Sequence, residues 1–207
     1  MRLVALVFCL ATASLAQAAQ VMPINYDMLN GNTGSYNYWD ESYSGAGCLT
    51  CDNAPLTGGL GDLTDGIAAP DNWFVVEAPQ GPGPYVGWTL EPLITFKFAA
   101  PHDFDRVRVH FDDANGAGGV SAPRGVVING IAYPMTDPIG SAPFWAVFDV
   151  NALAPTNTLQ ITVQRGNLWV FASEVEFYTA GNEVPEPATL LLVGLGLSAI
   201  ARRRRRE

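Results

Sequence analysis

The sequence predicts an all-β fold, a jelly-roll β-sandwich, for the middle of the chain. Three short stretches alternate apolar and polar residues, so that each strand has one buried and one exposed face. They are residues 94–98, 106–111 and 159–163. Between them Asn129-Gly130 separates two apolar runs, which is typical of a tight hairpin with a type I′ turn. We expect no helix of ordinary length between residues 19 and 183, where prolines and glycines suit turns between short strands.

The N-terminus has the pattern of a secretory signal peptide. Met1-Arg2 supplies a small positive region, and Leu3 to Leu15 is apolar. Ala16-Gln17-Ala18 is a small-x-small cleavage pattern, so we place cleavage after Ala18 and assign residues 1–18 to the signal peptide. The predicted β-sandwich domain, residues 19–180, is then exported.

The exported part of the chain is strongly acidic. Between Ala19 and Pro187 there are 19 acidic residues and five basic ones, a net charge of −14. Such a surface argues against a nucleic-acid partner, because phosphates require a basic footprint. It is compatible with divalent cations and neutral glycans.

Residues 19–62 are rich in Gly, Asn, Ser and Tyr, and the tyrosines at 36, 38 and 43 and Trp39 lie among polar neighbours. Aromatic rings in a polar loop either stack on sugars or cover the end of a sandwich core. A second glycine- and proline-rich loop ends at Tyr85, which we expect to be an exposed, ligand-binding ring.

Cys48 and Cys51 are the two cysteines that remain after signal cleavage. In an oxidising compartment their short spacing predicts a local disulfide. A redox-active pair is the weaker alternative, because glycine and proline flank the motif in place of a helix. Zinc is weaker still, since no second cysteine or histidine pair accompanies them.

Two separated stretches carry a family resemblance. Leu63 to Gly66 followed by Asn72 to Phe74, together with Trp169 to Tyr178, resemble the galactose-binding-like jelly roll of discoidin (factor 5/8 type C) domains and related carbohydrate-binding modules. The resemblance covers residues 60–180. Further strands are expected at 144–150 and 168–178, the second being the closing strand of that fold.

In many members of that family the two ends meet around a structural Ca²⁺. Calcium prefers six to eight hard oxygen ligands. The resemblance implies carboxylate ligands from Asp65 and Glu174 and carbonyl ligands from Asp62, Ile67 and Ser173. The alternative is that Asp65-Gly66 is an ordinary turn and that Glu174 is a carboxylate at the strand edge.

Catalytic patterns are absent from the sequence. A second acidic loop, residues 112–116, lacks the spaced ligands of an EF-hand and predicts a turn. There is no nucleophile elbow, zinc-protease motif or P-loop, and no carboxylate pair is singled out for glycoside hydrolysis. We therefore expect that the protein is not an enzyme.

The C-terminus combines three features. The motif Val184-Pro185-Glu186-Pro187 ends a linker, residues 181–187, and is followed by fourteen uncharged residues, 188–201, and then five arginines. A helix of that length spans about 21 Å, and flanking arginines that snorkel help it cross a core of about 30 Å. The arginines mark the cytoplasmic side. Residues 188–207 are thus predicted to be a short transmembrane helix with a basic tail.

This segment resembles the PEP-CTERM sorting signal of Gram-negative bacteria. The resemblance implies an exosortase-type membrane protease as a partner. It also implies export across the inner membrane, anchoring by the C-terminus, and a later place at the cell surface or in the extracellular matrix. Two functions remain open: binding of a carbohydrate such as an exopolysaccharide or cell-surface glycan, or a structural, adhesive role without a small ligand.

Deleting residues 184–207 is expected to release the domain from the membrane fraction in soluble form, because the predicted anchor is removed. Cell fractionation with immunoblotting measures this. A matched variant that keeps the helix but changes Pro185 and Pro187 to alanine should stay in the membrane fraction. An unchanged distribution of the deletion variant would contradict the predicted anchor.

Overall fold

A computed structural model describes residues 18–77 and 82–179 of the chain. Residues Ala19–Ala180 form one compact unit. The predicted signal sequence before Ala18 and the whole predicted sorting segment lie outside the described residues. Within the described residues, no helix has the length and apolar character needed to span a membrane.

The described residues form eleven strands, one single-turn α-helix and two 3₁₀ turns. The strands are β1 (Ala19–Val21), β2 (Asn25–Leu29), β3 (Pro55–Gly59), β4 (Val86–Trp88), β5 (Leu93–His102), β6 (Phe104–Phe111), β7 (Gly125–Ile128), β8 (Ile131–Pro134), β9 (Phe144–Asp149), β10 (Thr156–Gln164) and β11 (Val170–Thr179). The helix α1 is Trp73–Val76, and the 3₁₀ turns are Asp62–Thr64 and Ala117–Gly119.

The strands form two antiparallel sheets. One has the order β1-β11-β6-β9, with β4 also paired to β11, and the other has the order β3-β2-β5-β10-β7-β8. Alternate residues of both sheets are buried in one core, and the Phe96 and Phe177 rings, from opposite sheets, lie 4.8 Å apart. The predicted all-β sandwich is confirmed.

The predicted hairpin is present as β7 and β8. Asn129 and Gly130 have φ angles of 47° and 83°, the left-handed values that a type I′ turn needs at both central positions. The expected strands after residue 93 are also present. The sequence did not indicate β1, β2 and β3, because these short strands lie among glycines and polar residues.

The centre of the core is a cluster of four phenylalanines. The ring of Phe98 lies 4.8 Å from Phe104 and 5.0 Å from Phe177, and Phe177 also contacts Phe96. All four rings are at most 3% exposed. Edge-to-face contacts of this kind add to the free energy gained by burying the rings.

Replacing Phe177 with alanine is expected to lower the free energy of unfolding by about 3–5 kcal/mol, because it leaves a ring-sized cavity between the sheets. Urea unfolding followed by tryptophan fluorescence measures this. Val147→Ala is the control, because Val147 is 54% exposed on β9 and its loss should change stability by about 0.5 kcal/mol or less. Equal effects of the two substitutions would contradict the core assignment.

Candidate functional site

The sequence predicts that the loop around Asp65 and the last strand lie together. In the structure this loop contacts the last strand, β11. The Gly66 amide donates a hydrogen bond of 2.6 Å to Oε2 of Glu174, and the Ala69 amide donates one of 3.0 Å to Oγ of Ser173. These contacts join residues more than 100 positions apart. The segment after the first 3₁₀ turn is therefore fixed against the closing strand.

Two carboxyl groups lie together at this junction. Glu174 accepts the hydrogen bond of the Gly66 amide, which follows Asp65 directly, and Asp65 Oδ1 accepts a bond of 2.8 Å from the Ile67 amide. Burial, together with the negative charge of Asp65, raises the pKa of Glu174 to about 7. Burial likewise raises the pKa of Asp65. Neither carboxyl group takes part in an ion pair within the described part of the chain.

Asp62 lies beside this junction in a second buried acidic pair. Its amide donates a bond of 3.0 Å to Oδ1 of Asp40, and Ser42 donates to its Oδ1. Its Oδ2 is buried without a hydrogen-bond partner among the described residues. Burial and the charge of Asp40 raise the pKa of Asp62 to about 7.

The donor set at the junction is suited to a hard cation. It holds two neighbouring carboxylates and backbone oxygens, which are the ligands that calcium prefers. Of the residues expected to supply carbonyl ligands, Ile67 is 56% exposed and Ser173 is fully buried. Across the described residues, no three acidic, histidine or cysteine side chains converge as a metal cluster. Any ion here would depend on backbone carbonyls and water for most of its ligands.

Tyr85 is not an exposed ring, and that expectation is wrong. It is fully buried, its hydroxyl donates a bond of 2.9 Å to the Asp71 carbonyl, and its ring centre is 5.9 Å from that of Phe171. The physical reason is the pairing of β4 with β11, which draws the end of the preceding loop against the sheet. Tyr85 therefore cannot stack on a sugar.

Three other aromatic side chains and one leucine reach the surface beyond the Val170 end of β11, on two loops and on α1. Phe74 and Leu168 are 49% and 57% exposed, and Tyr36 and Trp169 are partly buried. We call these four residues the aromatic loop surface. It was not predicted as a set, because its members come from three segments that are far apart in sequence.

A second buried apolar cluster packs against the residues of this surface on their protein side. Tyr38, which is 2% exposed, lies 5.3 Å from the Trp169 ring and 4.6 Å from the Phe171 ring. Trp73 lies 6.1 Å from Tyr36 and 5.7 Å from Phe74. These contacts fix the angles of the rings that reach solvent.

Gly118 allows the loops to converge. A Cβ atom at this position would lie 2.4 Å from the Trp73 ring, and its φ angle of 62° is in the left-handed region. The next residue, Gly119, accepts a bond of 3.0 Å from the Trp169 amide. The loop between β6 and β7 thus passes directly beside the aromatic loop surface.

The long loop between β2 and β3 is held by a disulfide and by side-chain hydrogen bonds. Cys48 and Cys51 are joined by a disulfide with their Cα atoms 5.5 Å apart. Asn30 Nδ2 donates to the Cys48 carbonyl at 3.2 Å, and Asp52 Oδ1 accepts from Trp39 Nε1 at 2.8 Å. A disulfide between these neighbours stabilises the loop that carries Tyr36 and Tyr38.

Comparison with known proteins gives two family matches. Residues 19–118 match the DS-like domain of discoidin domain-containing receptors 1 and 2. Residues 183–206 match the PEP-CTERM protein-sorting motif. No curated protein matches the sequence significantly.

Several solved structures are similar in part. A truncated AlyQ with CBM32 and alginate lyase domains is 12% identical with a TM-score of 0.41, over 85% of this chain and 38% of that one. The module GH31 CBM32-2, solved with GalNAc bound, is 16% identical with a TM-score of 0.36, over 74% of this chain and 97% of that one. SpGH29 is 11% identical with a TM-score of 0.36, over 58% of this chain and 24% of that one. The chain thus spans well under half the length of two of these three proteins.

A PEP-CTERM motif implies export, anchoring through the C-terminal tail and processing by an exosortase. The discoidin match covers the first six strands, β1 to β6, includes Asp65, and ends within the second 3₁₀ turn. The chain therefore contains a region, residues 19–118, that is similar to a discoidin DS-like domain, and a PEP-CTERM protein-sorting motif at residues 183–206.

Proposed function

We propose that this protein is a non-catalytic, exported glycan-binding protein whose binding site is the aromatic loop surface. The observation that carries the proposal is the set of partly and half-exposed rings of Tyr36, Phe74 and Trp169, fixed from below by buried aromatic residues. After processing, the protein acts at the cell surface or in the extracellular matrix.

The chemistry of the surface suits a sugar. The C–H faces of a pyranose stack on aromatic rings, while a few polar groups fix its orientation. Asn167 lies next to Leu168 and accepts a bond of 2.8 Å from its amide, while Asn167 Nδ2 donates a bond of 3.3 Å to Ser121 Oγ. The strong negative charge of the domain favours a neutral glycan over an anionic one.

The position of the surface also supports binding. β11 runs from Val170 to Thr179, about 30 Å at the rise of an extended strand. The aromatic loop surface lies at the Val170 end, and the chain continues toward the sorting motif from the Thr179 end. The tail therefore does not leave the domain at the proposed binding site.

A calcium ion at the Asp65–Glu174 junction forms the second part of the proposal. Its support is the pair of neighbouring carboxyl groups without a basic partner in the described residues and the buried, unpartnered Oδ2 of Asp62 nearby. An ion here would link the early loop to β11 and so stabilise the fold. Its role would be structural, because it would join two segments that are more than 100 positions apart in the chain.

Phe74→Ala is expected to weaken binding of a neutral polysaccharide about 5- to 10-fold, or about 1–1.4 kcal/mol, because one stacking ring is lost. A glycan array that includes the host's own exopolysaccharide, followed by calorimetry with the best ligand, measures this. The matched control is Leu93→Ala, which removes a 50% exposed apolar side chain from the other sheet.

Equal affinity of the wild-type protein and the Phe74→Ala variant would contradict this location of the site. If no glycan binds and a protein partner is captured through the same four residues, the structural, adhesive alternative is correct. The exposed Leu168 and Val75, at 57% and 58%, are the feature that favours that alternative.

Calcium is expected to raise the thermal stability of the wild-type protein by several degrees relative to chelator. Binding to the folded state alone contributes about 2.7 kcal/mol at a hundredfold excess over Kd. Asp65→Asn should abolish most of this difference, whereas Asp103→Asn, an exposed aspartate in the turn between β5 and β6, should leave it unchanged. Identical melting curves of the wild-type protein with and without calcium would exclude the ion.

A further inference from the structure

The Cys48–Cys51 disulfide lies at the protein surface, in the long loop between β2 and β3. Cys48 is partly buried and Cys51 is exposed, so Cys51 is the accessible half of the bond. Exposed disulfides are the ones that thiols reduce readily, because the attacking thiolate must reach a sulfur atom. No helix among the described residues begins at Cys48. The pair is therefore a target of thiol exchange and not a catalyst of it.

The disulfide joins a buried anchor to an exposed carboxylate. Asn30, which directly follows β2 and is fully buried, donates from Nδ2 to the carbonyls of Cys48 at 3.2 Å and Leu49 at 3.0 Å. The Cys48 half of the loop is therefore fixed to the end of β2. The disulfide extends this restraint to Cys51 and to its neighbour Asp52, which is itself exposed.

Asp52 holds the segment that supplies Tyr36 to the aromatic loop surface. Its Oδ1 accepts bonds of 2.8 Å from the Thr33 amide, 2.9 Å from Thr33 Oγ1 and 2.8 Å from Trp39 Nε1. These donors lie on both sides of residues 33–37, which we call the Tyr36 tip. One carboxylate oxygen thus fixes the tip against the disulfide.

Backbone hydrogen bonds hold the chain on either side of the Tyr36 tip. The Asn32 amide donates to the Gly87 carbonyl at 2.8 Å, and the Gly87 amide donates to the Tyr38 carbonyl at 3.0 Å. Both ends of the tip are therefore fixed to β4. Near the disulfide, the Asn53 amide donates a longer bond of 3.4 Å to the Gly31 carbonyl. Loss of the disulfide is expected to loosen the tip without unfolding the domain.

We propose that the Cys48–Cys51 disulfide is a modification site at which a dithiol reductant loosens the aromatic loop surface. A thiolate of the reductant attacks the Cys51 sulfur, and the Cys48 sulfur leaves as a thiolate and takes up a proton. The second thiolate of the reductant then attacks the reductant sulfur of the mixed disulfide. The Cys51 thiolate leaves and is protonated. The reductant becomes a disulfide, so two electrons and two protons pass to this protein.

Reduction removes the covalent link between the anchored half of the loop and Asp52. The carboxylate then samples more conformations, so its bonds to Thr33 and Trp39 are formed for less of the time. The Tyr36 ring, which lies 6.1 Å from the Trp73 ring in the oxidised protein, loses its fixed position. The effect on glycan affinity rests on the function proposed above, whereas the effect on the order of the tip does not.

The test measures hydrogen exchange of the mature full-length protein before and after treatment with dithiothreitol, with no glycan present. Peptides that cover residues 31–39 should exchange about 10-fold faster after reduction, because a restraint on a short loop is removed. Peptides from β10, Thr156–Gln164, are the internal control and should not change. Alkylation with mass spectrometry confirms that both thiols are free.

Three variants separate the disulfide from the carboxylate. Cys48→Ser/Cys51→Ser should exchange like the reduced protein and should not respond to dithiothreitol. Asp52→Ala keeps the disulfide and removes the acceptor, so its tip should exchange fast in both states. Thr50→Ser changes an exposed residue between the cysteines and should behave like the wild-type protein.

Unchanged exchange in residues 31–39 after both thiols are free would overturn the restraint. Reduction that occurs only in denaturant would overturn the modification site. Faster exchange with several-fold weaker glycan binding would support the proposal in full. Faster exchange with unchanged glycan affinity would support the restraint and count against the aromatic loop surface as the glycan site.

Discussion

The structure depends on the hydrogen bonding of β11. This strand pairs with β6 along one side and with β4 and β1 along the other, so three segments of the chain are fixed by one strand. Its Phe177 side chain lies in the core between the sheets, and its Phe171 side chain supports the aromatic cluster on the opposite face. Glu174 and Ser173, between them, hold the loop after the first 3₁₀ turn. Residues of β11 thus contact the core, the proposed calcium junction and the aromatic cluster under the aromatic loop surface.

Buried acidic side chains organise the loops of this domain. Asp40 is fully buried and accepts hydrogen bonds from the Tyr26 hydroxyl and the Asp62 amide. Asp112 accepts bonds of 2.6 Å and 2.8 Å from Asn72 Nδ2 and the Trp73 amide. A carboxylate that accepts several N–H groups can order a long loop that lacks secondary structure of its own. Part of the acidic excess is therefore structural, and part of it, at Asp65 and Glu174, has no cationic partner in the described residues.

The candidate calcium junction could be located from sequence because both of its halves lie in recognisable patterns, Asp65-Gly66 in a turn and Glu174 in the closing strand. The aromatic loop surface could not be located in the same way. Its rings come from loops whose order in space depends on which strands pair, and the local pattern around Phe74 or Trp169 gives no indication of exposure. The burial of Tyr85 could not be predicted from sequence either. A loop rich in glycine and proline predicts a turn, but it does not indicate which of its residues will be buried against the neighbouring strand.

The sequence by itself determined the all-β class, the strands after residue 93, the hairpin at Asn129-Gly130, the pairing of Cys48 with Cys51 and the sorting motif. Each of these follows from residues close together in the chain, through side-chain alternation, turn conformation or local spacing. Tertiary structure decided the short strands β1 to β4, the burial of Tyr85 and the convergence of Tyr36, Phe74 and Trp169. These features rest on contacts between distant segments, and only the packing of the sheets and loops fixes which side chains face solvent and which face each other.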